Sequence, residues 1–385
     1  MEFAVCNLIF VCGYAALCLF YVLYSYEEIK IQNINLAKRP FSFSFPEFDQ
    51  KLFDSISSIG LANPPIILPA CVHSTDRQKK NAAKFYVVSG LRRVLACKKL
   101  GIKALPCSII KARQVAATGW SYRSSEKKLC QKNTLLQDCN AEMELDYEKF
   151  ILLNLKINLS HREFNDIEKA NLFKLLNESG IHPKKIIRKY MTYLNLEKSR
   201  KIYEDIMSLN SLDTISKMRI IEWNLPLKIS TVLAKYQKSD RVAVMKIVEI
   251  LMPGINRLKE IIMFLEEIAL MQKCSISDII NQHVVNMVKN STICRKERTE
   301  MVRQKLKGLR YPQLEKMEKR WNKCVKELHL PRNIKIIPPL SFEGKNIKLE
   351  ISFPTKDAME SSLLKLNETI KSDSVEELIN LVKPK

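Results

Sequence analysis

The sequence predicts an α+β protein of several domains, in which a small α/β domain precedes a mainly α-helical helix-turn-helix domain and a small ββα C-terminal part. Short β-rich runs alternate with segments of helical spacing across residues 29–112. Hydrophobic residues then recur at helical spacing from 144 to 290, with proline and glycine as breaks. Two strand-like runs and two helical runs follow within 333–385. A chain of 385 residues is long enough for two or three such domains.

The charge balance indicates polyanionic partners. The chain carries 63 basic and 41 acidic residues, a formal net charge of +22. Such an excess favours nucleic acid first and an anionic membrane surface second. The 11 cysteines include no CxxC pair, and the five histidines form no ligand pair. The sequence therefore predicts free thiols in a reducing compartment, and it identifies neither a metal site nor a catalytic residue.

Residues 1–26 form a hydrophobic N-terminal segment. No charged residue lies between Phe3 and Tyr24, a stretch of 22 residues that would cross a bilayer as a helix. Lys30, Lys38 and Arg39 follow it, and the positive-inside rule would keep the rest of the chain in the cytoplasm, anchored to the inner membrane through residues 3–24. Two other interpretations stay open, namely a functionless extension from an upstream start codon and a buried helix.

The pattern of residues 29–112 predicts one small α/β domain. The predicted elements are, in order, a strand at 29–36, a helix ending at Gly60, a strand at 65–68, a strand at 85–88, a helix from Arg92 that ends before Gly101, and a last strand reaching Ile110. A polar loop at 73–81 separates the second and third strands and is most simply solvated.

The turn from Ser89 to Arg93 is the candidate binding site. Arg92 and Arg93 fall in the first turn of the predicted helix, where exposed backbone N–H groups already carry partial positive charge. An anion is expected there, and backbone donors together with guanidinium groups suit a phosphate. Gly90 has no Cβ and would let that phosphate approach the backbone. The alternative is a pair of solvated arginines.

This region resembles the N-terminal domain of the ParB chromosome and plasmid partition proteins, which has the ParB/sulfiredoxin fold. The residues that carry the resemblance are Ile59-Gly60, Asn63-Pro64-Pro65-Ile66, residues 86–96 and Leu100-Gly101. In that family a Gly-Glu-Arg-Arg turn holds the triphosphate of CTP, so the resemblance implies phosphate binding by Ser89, Gly90, Arg92 and Arg93. The acidic residue of the family's turn is Leu91 here. Sulfiredoxin, the enzymatic relative, needs a cysteine in this turn, and the first thiol after it is Cys97.

Residues 158–170 resemble the second ParB motif without gaps. The matching residues are Asn158, Asn165, Ile167, Glu168 and Ala170. The resemblance implies that Asn158 lines the CTP pocket. The family's glutamate that helps to hold Mg²⁺ is Ile157 here, so with Leu91 both acidic positions are apolar and offer no oxygen ligand. The resemblance implies CTP binding. Because the two acidic positions are apolar, Mg²⁺ binding is left open and hydrolysis of CTP is expected to be weak or absent.

Two short helices between about 183 and 209 form a helix-turn-helix candidate. Pro183 suits the start of the first helix, and the turn lacks the usual glycine, so Asn195 must take its place. The residues expected to face outward on the second helix and to contact DNA phosphates or base edges are Lys198, Ser199, Arg200 and Lys201. An ordinary helical bundle would give the same pattern, but the position after the ParB-like motif favours a DNA reader.

The remaining segments are a basic linker at 113–143, a basic helical segment at 291–332 and the ββα module at 333–385. Between Arg295 and Lys335 there are 14 basic and 5 acidic residues, with Tyr311 and Trp321 as candidate base-stacking aromatics. The alternative is a solvated helical face with pairs such as Glu315 with Lys319. The ββα module suits oligomerisation, and a homodimer follows by analogy with the family's dimerisation domain.

The sequence as a whole predicts a ParB-like DNA-binding protein, cytoplasmic and nucleoid-associated, in chromosome or plasmid partition or a related regulatory role. A partition ATPase would be a further partner by analogy. Two other classes stay open. A nucleotide-dependent nuclease or phosphotransferase of the same superfamily would need a base near Arg93, and Leu91 and Ile157 remove the obvious carboxylates. A membrane-tethered scaffold would have a pocket that no longer holds a ligand.

Overall fold

The computed structural model describes residues 24–69, 85–110, 147–289, 293–344 and 346–382, which form two compact units that divide after Ala234. The division falls inside the range 144–290 that the sequence suggested as one helical domain. The predicted membrane segment at 3–24, apart from Tyr24, and the basic linker at 113–143 lie outside the described residues. Across the ranges that are described, no helix is both long enough and apolar enough to span a bilayer.

Unit 1 begins with a mixed sheet of five strands. The strands are β1 (Tyr24–Lys30), β2 (Ile34–Asn35), β3 (Ile66–Pro69), β4 (Phe85–Ser89) and β5 (Ala104–Ile110), in the spatial order β1-β5-β3-β4-β2. The β1–β5 and β3–β4 pairs are antiparallel, whereas β3–β5 and β2–β4 are parallel. Helices α1 (Gln50–Ile59) and α2 (Leu91–Lys99) share a buried core with this sheet. Together with the helices that follow, the sheet confirms the predicted α+β class.

The strand predicted at 29–36 is split in two. β1 ends at Lys30, a short 3-10 turn covers Ile31–Asn33, and β2 begins at Ile34. β1 pairs with β5 at one edge of the sheet and β2 pairs with β4 at the other, and one straight strand cannot lie at both edges. Ile31 donates its backbone N–H to the carbonyl of Lys103 (2.9 Å). Ile31 and Ile34 are both buried, so the alternating pattern reports burial on either side of the turn.

The rest of unit 1 is helical. Its helices are α3 (Tyr147–Leu159), α4 (Asp166–Glu178), α5, α6 (Arg200–Ser208), α7 (Thr214–Glu222) and α8 (Leu227–Lys235). α5 is a continuous segment made of Pro183–Lys185, a π-helical stretch Ile186–Tyr190 and Met191–Tyr193. The fully buried ring of Phe173 on α4 lies 5.5 Å from that of Tyr203 on α6 and holds these two helices together.

A loop between β2 and α1 joins the sheet to the helices of unit 1. Phe41 and Phe43 in this loop are almost completely buried. Their rings lie 5.3 Å from those of Phe150 on α3 and Phe164, which precedes α4. The carbonyl of Phe41 also accepts a hydrogen bond from Asn154 on α3 (2.7 Å). Aromatic burial and this buried hydrogen bond therefore fix the α/β part against α3 and α4.

Unit 2 is a helical bundle followed by a small α/β part. Its elements are α9 (Lys238–Leu251), α10 (Ile255–Gln272), α11 (Ile276–Ile279, π-helical Ile280–Val284 and Val285–Lys289), α12 (Arg295–Arg310), α13 (Pro312–Glu327), β6 (Ile334–Ile337), β7 (Lys348–Ile351), α14 (Lys356–Thr369) and α15 (Asp373–Val382). β6 and β7 form the predicted antiparallel hairpin. The two helices after it complete the ββα part that the sequence predicted.

Trp321 lies in the core of unit 2 rather than on its surface. It is only 4% exposed, and its ring meets that of Phe342 edge-on at 5.6 Å. Cys324 and Leu328 follow on the same buried face of α13. The interpretation of Trp321 as a base-stacking aromatic is therefore wrong, because a nucleobase cannot reach the face of this ring. Tyr311, by contrast, is 37% exposed.

Glu148 on α3 anchors α5 and gives unit 1 a pH-dependent contact. Its carboxylate accepts hydrogen bonds from Lys185 (2.6 Å), Lys189 (3.2 Å) and Tyr190 (2.9 Å). Burial opposes ionisation, but these hydrogen bonds outweigh it, and the pKa of Glu148 is lowered. A carboxyl with a lowered pKa stabilises the fold above its unfolded value of about 4.3, and the contribution is lost as the pH falls through the folded value.

We expect Glu148→Gln to lower the free energy of unfolding of unit 1 by about 1 kcal/mol at neutral pH. The free energy of unfolding of this variant should also fall less steeply between about pH 5 and pH 3 than that of the wild type. Urea denaturation at each pH, read by hydrogen exchange of peptides from α3 and α5, measures both effects. Glu178→Gln, which removes an exposed pair with Lys174, is the control. If the stability of Glu148→Gln falls as steeply with decreasing pH as that of the wild type, the lowered pKa of Glu148 is contradicted.

Candidate functional site

β4, Gly90 and α2 form the strand, turn and helix start that the sequence predicted. Gly90 is the N-cap of α2 and has left-handed backbone angles, with φ 91° and ψ 23°. A Cβ at this position would lie 2.9 Å from Nη2 of Arg93. Glycine is therefore required both by the backbone angle and by the guanidinium that lies over it. No side chain caps the first turn of α2, which leaves the positive end of the helix dipole at this turn.

The guanidinium of Arg93 lies across the turn and joins the two parts of the first motif. Its Nη1 donates to the carbonyl oxygens of Asn63 and Pro64. Burial lowers the pKa of Arg93, although a guanidinium stays charged at neutral pH. Within the described residues no carboxylate pairs with it. Arg93 is thus a partly desolvated cation with neutral partners, and a phosphate would supply the opposite charge.

Ser89 adds a hydrogen-bonding group at the same turn. Its side chain is 2% exposed, and its Oγ has no hydrogen-bond partner among the described residues. A buried hydroxyl without a partner costs about 1–3 kcal/mol, so such groups call for an explanation. The Oγ is enclosed, so a ligand acceptor could be that partner only in a more open form of the turn. The role of Ser89 as a phosphate contact therefore stays a prediction.

Arg92 has a different environment from Arg93. Its Nη2 donates to Oε1 of Glu168 at 2.9 Å, and its Nε donates to the carbonyl of Pro46 at 2.8 Å. Burial lowers the pKa of Arg92, while Glu168 and Asp49 act in the opposite direction. The anion that the start of α2 requires is thus, for Arg92, a carboxylate supplied by α4 of the same chain.

Glu168 is the centre of a buried ion cluster. Its side chain is 1% exposed, and it pairs with Arg92 and, through both carboxylate oxygens, with Arg162 (2.7 and 2.9 Å). It also accepts the backbone N–H of Phe45 at 3.1 Å. Asn165 and Glu168 form a capping box at the start of α4, which fixes the carboxylate in place. This cluster joins α2, α4 and the loop between β2 and α1.

Sequence reasoning did not identify Glu168 or Arg162 as site residues. The spacing Asn-x-x-Glu from Asn165 to Glu168 signals a helix start, and that signal was available. The ion pair between Glu168 and Arg92 could not be predicted from the sequence, because the two residues are 76 positions apart. Its discovery needed the three-dimensional arrangement.

Asn158 lies on α3, where its Nδ2 donates to the backbone carbonyl of Asn154 (2.8 Å) and to Oδ1 of the same residue (2.6 Å). Its amide donors are therefore used inside α3, and its predicted role as a pocket-lining residue stays a prediction. Leu91, at the family's acidic position, is 6% exposed and belongs to the core of the α/β part. Leu91 and the half-buried Ile157 provide no oxygen ligand, and no cluster of three metal-ligating side chains occurs in the described ranges. These residues do not fit a Mg²⁺ site of the family type.

The helix-turn-helix candidate is formed by α5 and α6. Asn195 in the connecting turn has φ 53°, so it takes the left-handed position as predicted. The backbone N–H groups of Asn195 and Leu196 return to the carbonyls of Thr192 and Met191 and close the end of α5. The turn is therefore well defined although it contains no glycine.

The four residues predicted to contact DNA lie at the start of α6. Lys198, Arg200 and Lys201 are exposed, and the guanidinium of Arg200 is paired with Glu204 one turn along the helix (2.8 Å). Ser199 is the N-cap of α6, and its Oγ accepts the N–H of Ile202. The structure thus brings three cations together at the positive end of a helix, a position that suits DNA phosphates.

No protein-family model matches the sequence, and no curated protein matches it. Two solved structures of the C-terminally truncated chromosome-partitioning protein ParB from Caulobacter crescentus are similar to the chain. The one complexed with CTP-gamma-S has 18% sequence identity and a TM-score of 0.22, and the match covers 58% of this chain and 97% of that one. The one complexed to the centromeric parS site has 15% identity and a TM-score of 0.24, with 60% and 95% covered.

Proposed function

We propose that this chain is a ParB-like DNA-binding protein whose turn at residues 89–93 binds the phosphates of a nucleotide, CTP by the resemblance of its motifs. The observation that carries the proposal is the arrangement of Gly90, Arg93 and Ser89 at the start of α2. A left-handed glycine, a cation without a carboxylate partner and a buried hydroxyl without a partner meet there. The partly desolvated charge of Arg93 and the unpartnered hydroxyl of Ser89 are costly without a ligand, whereas Gly90 adopts the left-handed angles without strain.

The local charge balance supports the same proposal. Arg92, Arg93 and Arg162 contribute three positive charges near the start of α2, and Glu168 and Asp49 contribute two negative ones. The unmatched charge belongs to Arg93, since Arg92 and Arg162 share Glu168. A nucleotide phosphate beside Arg93 would neutralise it without displacing the buried cluster. In this proposal Arg92 orients the turn, and Arg93 contacts the ligand.

DNA binding is assigned to the start of α6. The proposed contacts are Lys198, Arg200 and Lys201, and the N-terminus of α6 adds the positive end of the helix dipole. A homodimer formed through the ββα part and a partition ATPase partner belong to the proposal by analogy alone. The role that we propose, by the resemblance of the motifs, is chromosome or plasmid partition or related regulation.

A scaffold without a nucleotide is the second candidate, and one observation favours it. Both arginines of the turn already have partners within the chain, Arg92 on Glu168 and Arg93 on two backbone carbonyls. In that case the turn would serve only to hold α2, the loop at 63–64 and α4 together. Binding of a nucleotide separates the two candidates.

Isothermal titration calorimetry of the full chain with CTP is the test. We expect the wild type to bind with a dissociation constant on the order of micromolar and Arg93→Ala to bind about 10- to 100-fold more weakly, because a charge-assisted contact is removed. Arg188→Ala, an exposed arginine on α5, should bind as the wild type does. Far-UV circular dichroism confirms that each variant is folded. No heat from the wild type would favour the scaffold, and equal affinities for wild type and Arg93→Ala would remove Arg93 from the site.

A further inference from the structure

The outer face of α6 carries an arginine and a glutamate that are paired with each other. Arg200 and Glu204 are four positions apart, which separates them by about 40° around the helix axis. Ile206 is fully buried and lies about 160° from Glu204 on the opposite face. Tyr203 accepts a hydrogen bond from Asn177 on α4 (2.7 Å). The rotation of α6 is therefore fixed, and the paired side chains lie on its exposed face.

Helix stability does not account for this pair. The side chains of Arg200 and Glu204 are 85% and 59% exposed, and ion pairs at such exposed positions contribute little to stability. The arginine precedes the glutamate, which is the less favourable order for an i,i+4 pair. Arg200 is also the first residue of α6, where the helix dipole disfavours a cation. The pair therefore calls for an explanation outside the fold.

The pairing leaves two nitrogens of the Arg200 guanidinium available to a ligand. Nε of Arg200 donates to Oε1 of Glu204 at 2.8 Å. Nη1 and Nη2 donate to no acceptor in the part of the chain that the structure describes. A guanidinium holds its donors in a rigid plane, and two of them match the O6 and N7 acceptors of guanine in the major groove. By holding Nε, Glu204 limits the directions in which Nη1 and Nη2 can donate.

The carboxylate of Glu204 makes a DNA phosphate an unfavourable partner for Arg200. A phosphate beside this pair would be repelled by the carboxylate, whereas the edge of a guanine is neutral and offers only acceptors. Lys201 lies about 100° from Arg200 around α6, and no carboxylate among the described residues pairs with it. The exposed face of α6 thus carries one cation suited to a base and another suited to a phosphate.

We propose that Arg200 contacts a guanine in the major groove and that Glu204 is the positioning residue that determines this preference. The inference rests on the proposed function, because it requires that α6 enters the groove. In helix-turn-helix proteins the residues at the start of the second helix contact base edges. The DNA site of this chain should therefore contain a guanine that is preferred over the other bases by about 10-fold or more.

Sequencing of the duplexes that the full chain selects from a randomised DNA library measures the base preference at every position. We expect the wild type to select a site with this guanine and Arg200→Ala to lose the preference. Glu204→Ala should reduce it to about 3-fold or less, because the guanidinium is no longer held in one direction. Its affinity for non-cognate duplex should stay equal or increase, since an anion is removed from the DNA-facing surface.

Two further variants of the same type of side chain serve as controls. Glu204→Gln keeps an oxygen acceptor for Nε of Arg200 and should retain part of the guanine preference. Glu178→Ala removes one partner of an exposed i,i+4 pair on α4 and should select the same site as the wild type. Far-UV circular dichroism confirms that each variant is folded.

Lys201→Gln separates the inference from the proposed function. Loss of a phosphate contact should weaken binding to all duplexes equally and leave the base preference unchanged. If the wild type binds no duplex, the proposed function fails and the inference fails with it. If the wild type binds duplexes but Glu204→Ala keeps the guanine preference, or no base is preferred at all, the positioning role is overturned while DNA binding stands.

Two other results would also overturn the inference. If Arg200→Ala weakens binding to every duplex equally, Arg200 contacts a phosphate and not a base. If Glu204→Ala loses a preference for cytosine while the guanine preference is intact, Glu204 contacts a base itself and does not act through Arg200.

Discussion

Glu168→Gln is expected to lower the free energy of unfolding of unit 1 by about 3 kcal/mol or more. The substitution preserves the shape of the side chain but removes the negative charge shared by Arg92 and Arg162. Glu168 is 1% exposed, and the side chains of Arg92 and Arg162 are 16% and 28% exposed, so water can replace the lost charge only in part. Removing one partner of a buried ion pair costs about 3–5 kcal/mol, because the remaining charge stays buried without compensation.

Urea denaturation with hydrogen exchange of peptides from α2 and α4 measures this loss in unit 1 separately from unit 2. Glu163→Gln is the matched control, since Glu163 is exposed and five residues away, and it should change stability by less than about 0.5 kcal/mol. The double variant Glu168→Gln/Arg162→Gln should recover part of the loss, because one unpaired cation is removed. If Glu168→Gln lowers the free energy of unfolding by less than about 1 kcal/mol, the Pro46 carbonyl and solvent are enough to compensate the charge of Arg92.

The same cluster shows how far the sequence could be interpreted. Arg92 and Arg93 at the start of a helix predicted a nearby anion, and for Arg92 that anion is present. A phosphate and the carboxylate of Glu168 interact with the start of a helix in the same way, so the sequence did not distinguish a ligand from a side chain as this anion. Two adjacent arginines of one motif thus have different partners, and only Arg93 keeps a neutral environment.

Local features were predictable where short-range rules decide them. Asn195 was expected to replace a turn glycine, and it has the left-handed φ that this requires. The β4–Gly90–α2 turn and the β6–β7 hairpin also lie where the patterns placed them. The split between β1 and β2 was not predictable, since it depends on which edge of the sheet each half joins. Alternating hydrophobicity reports burial and carries no information on strand order.

Trp321→Ala is expected to lower the free energy of unfolding of unit 2 by about 3–5 kcal/mol, as truncation of a large buried aromatic does. The indole packs against Phe342 and lies in one core with Leu378 and Val382 of α15, so its removal leaves a cavity beneath α13. Tyr311→Ala should cost less, because Tyr311 is 37% exposed. Urea denaturation with hydrogen exchange of peptides from α13 and α15 measures both effects.

This comparison also decides between the two roles that an aromatic residue in a basic segment could have. A base-stacking tryptophan would be exposed, and its loss would weaken DNA binding with little effect on stability. A core tryptophan holds α13, whose outer face carries exposed cations such as Lys316 and Arg320, so its loss destabilises unit 2 and displaces those cations only through the fold. Unchanged stability in Trp321→Ala, together with weaker DNA binding, would therefore contradict the buried position of Trp321. If Trp321→Ala loses stability while Lys316→Gln and Arg320→Gln leave the fold intact, the buried face of α13 carries its structural role.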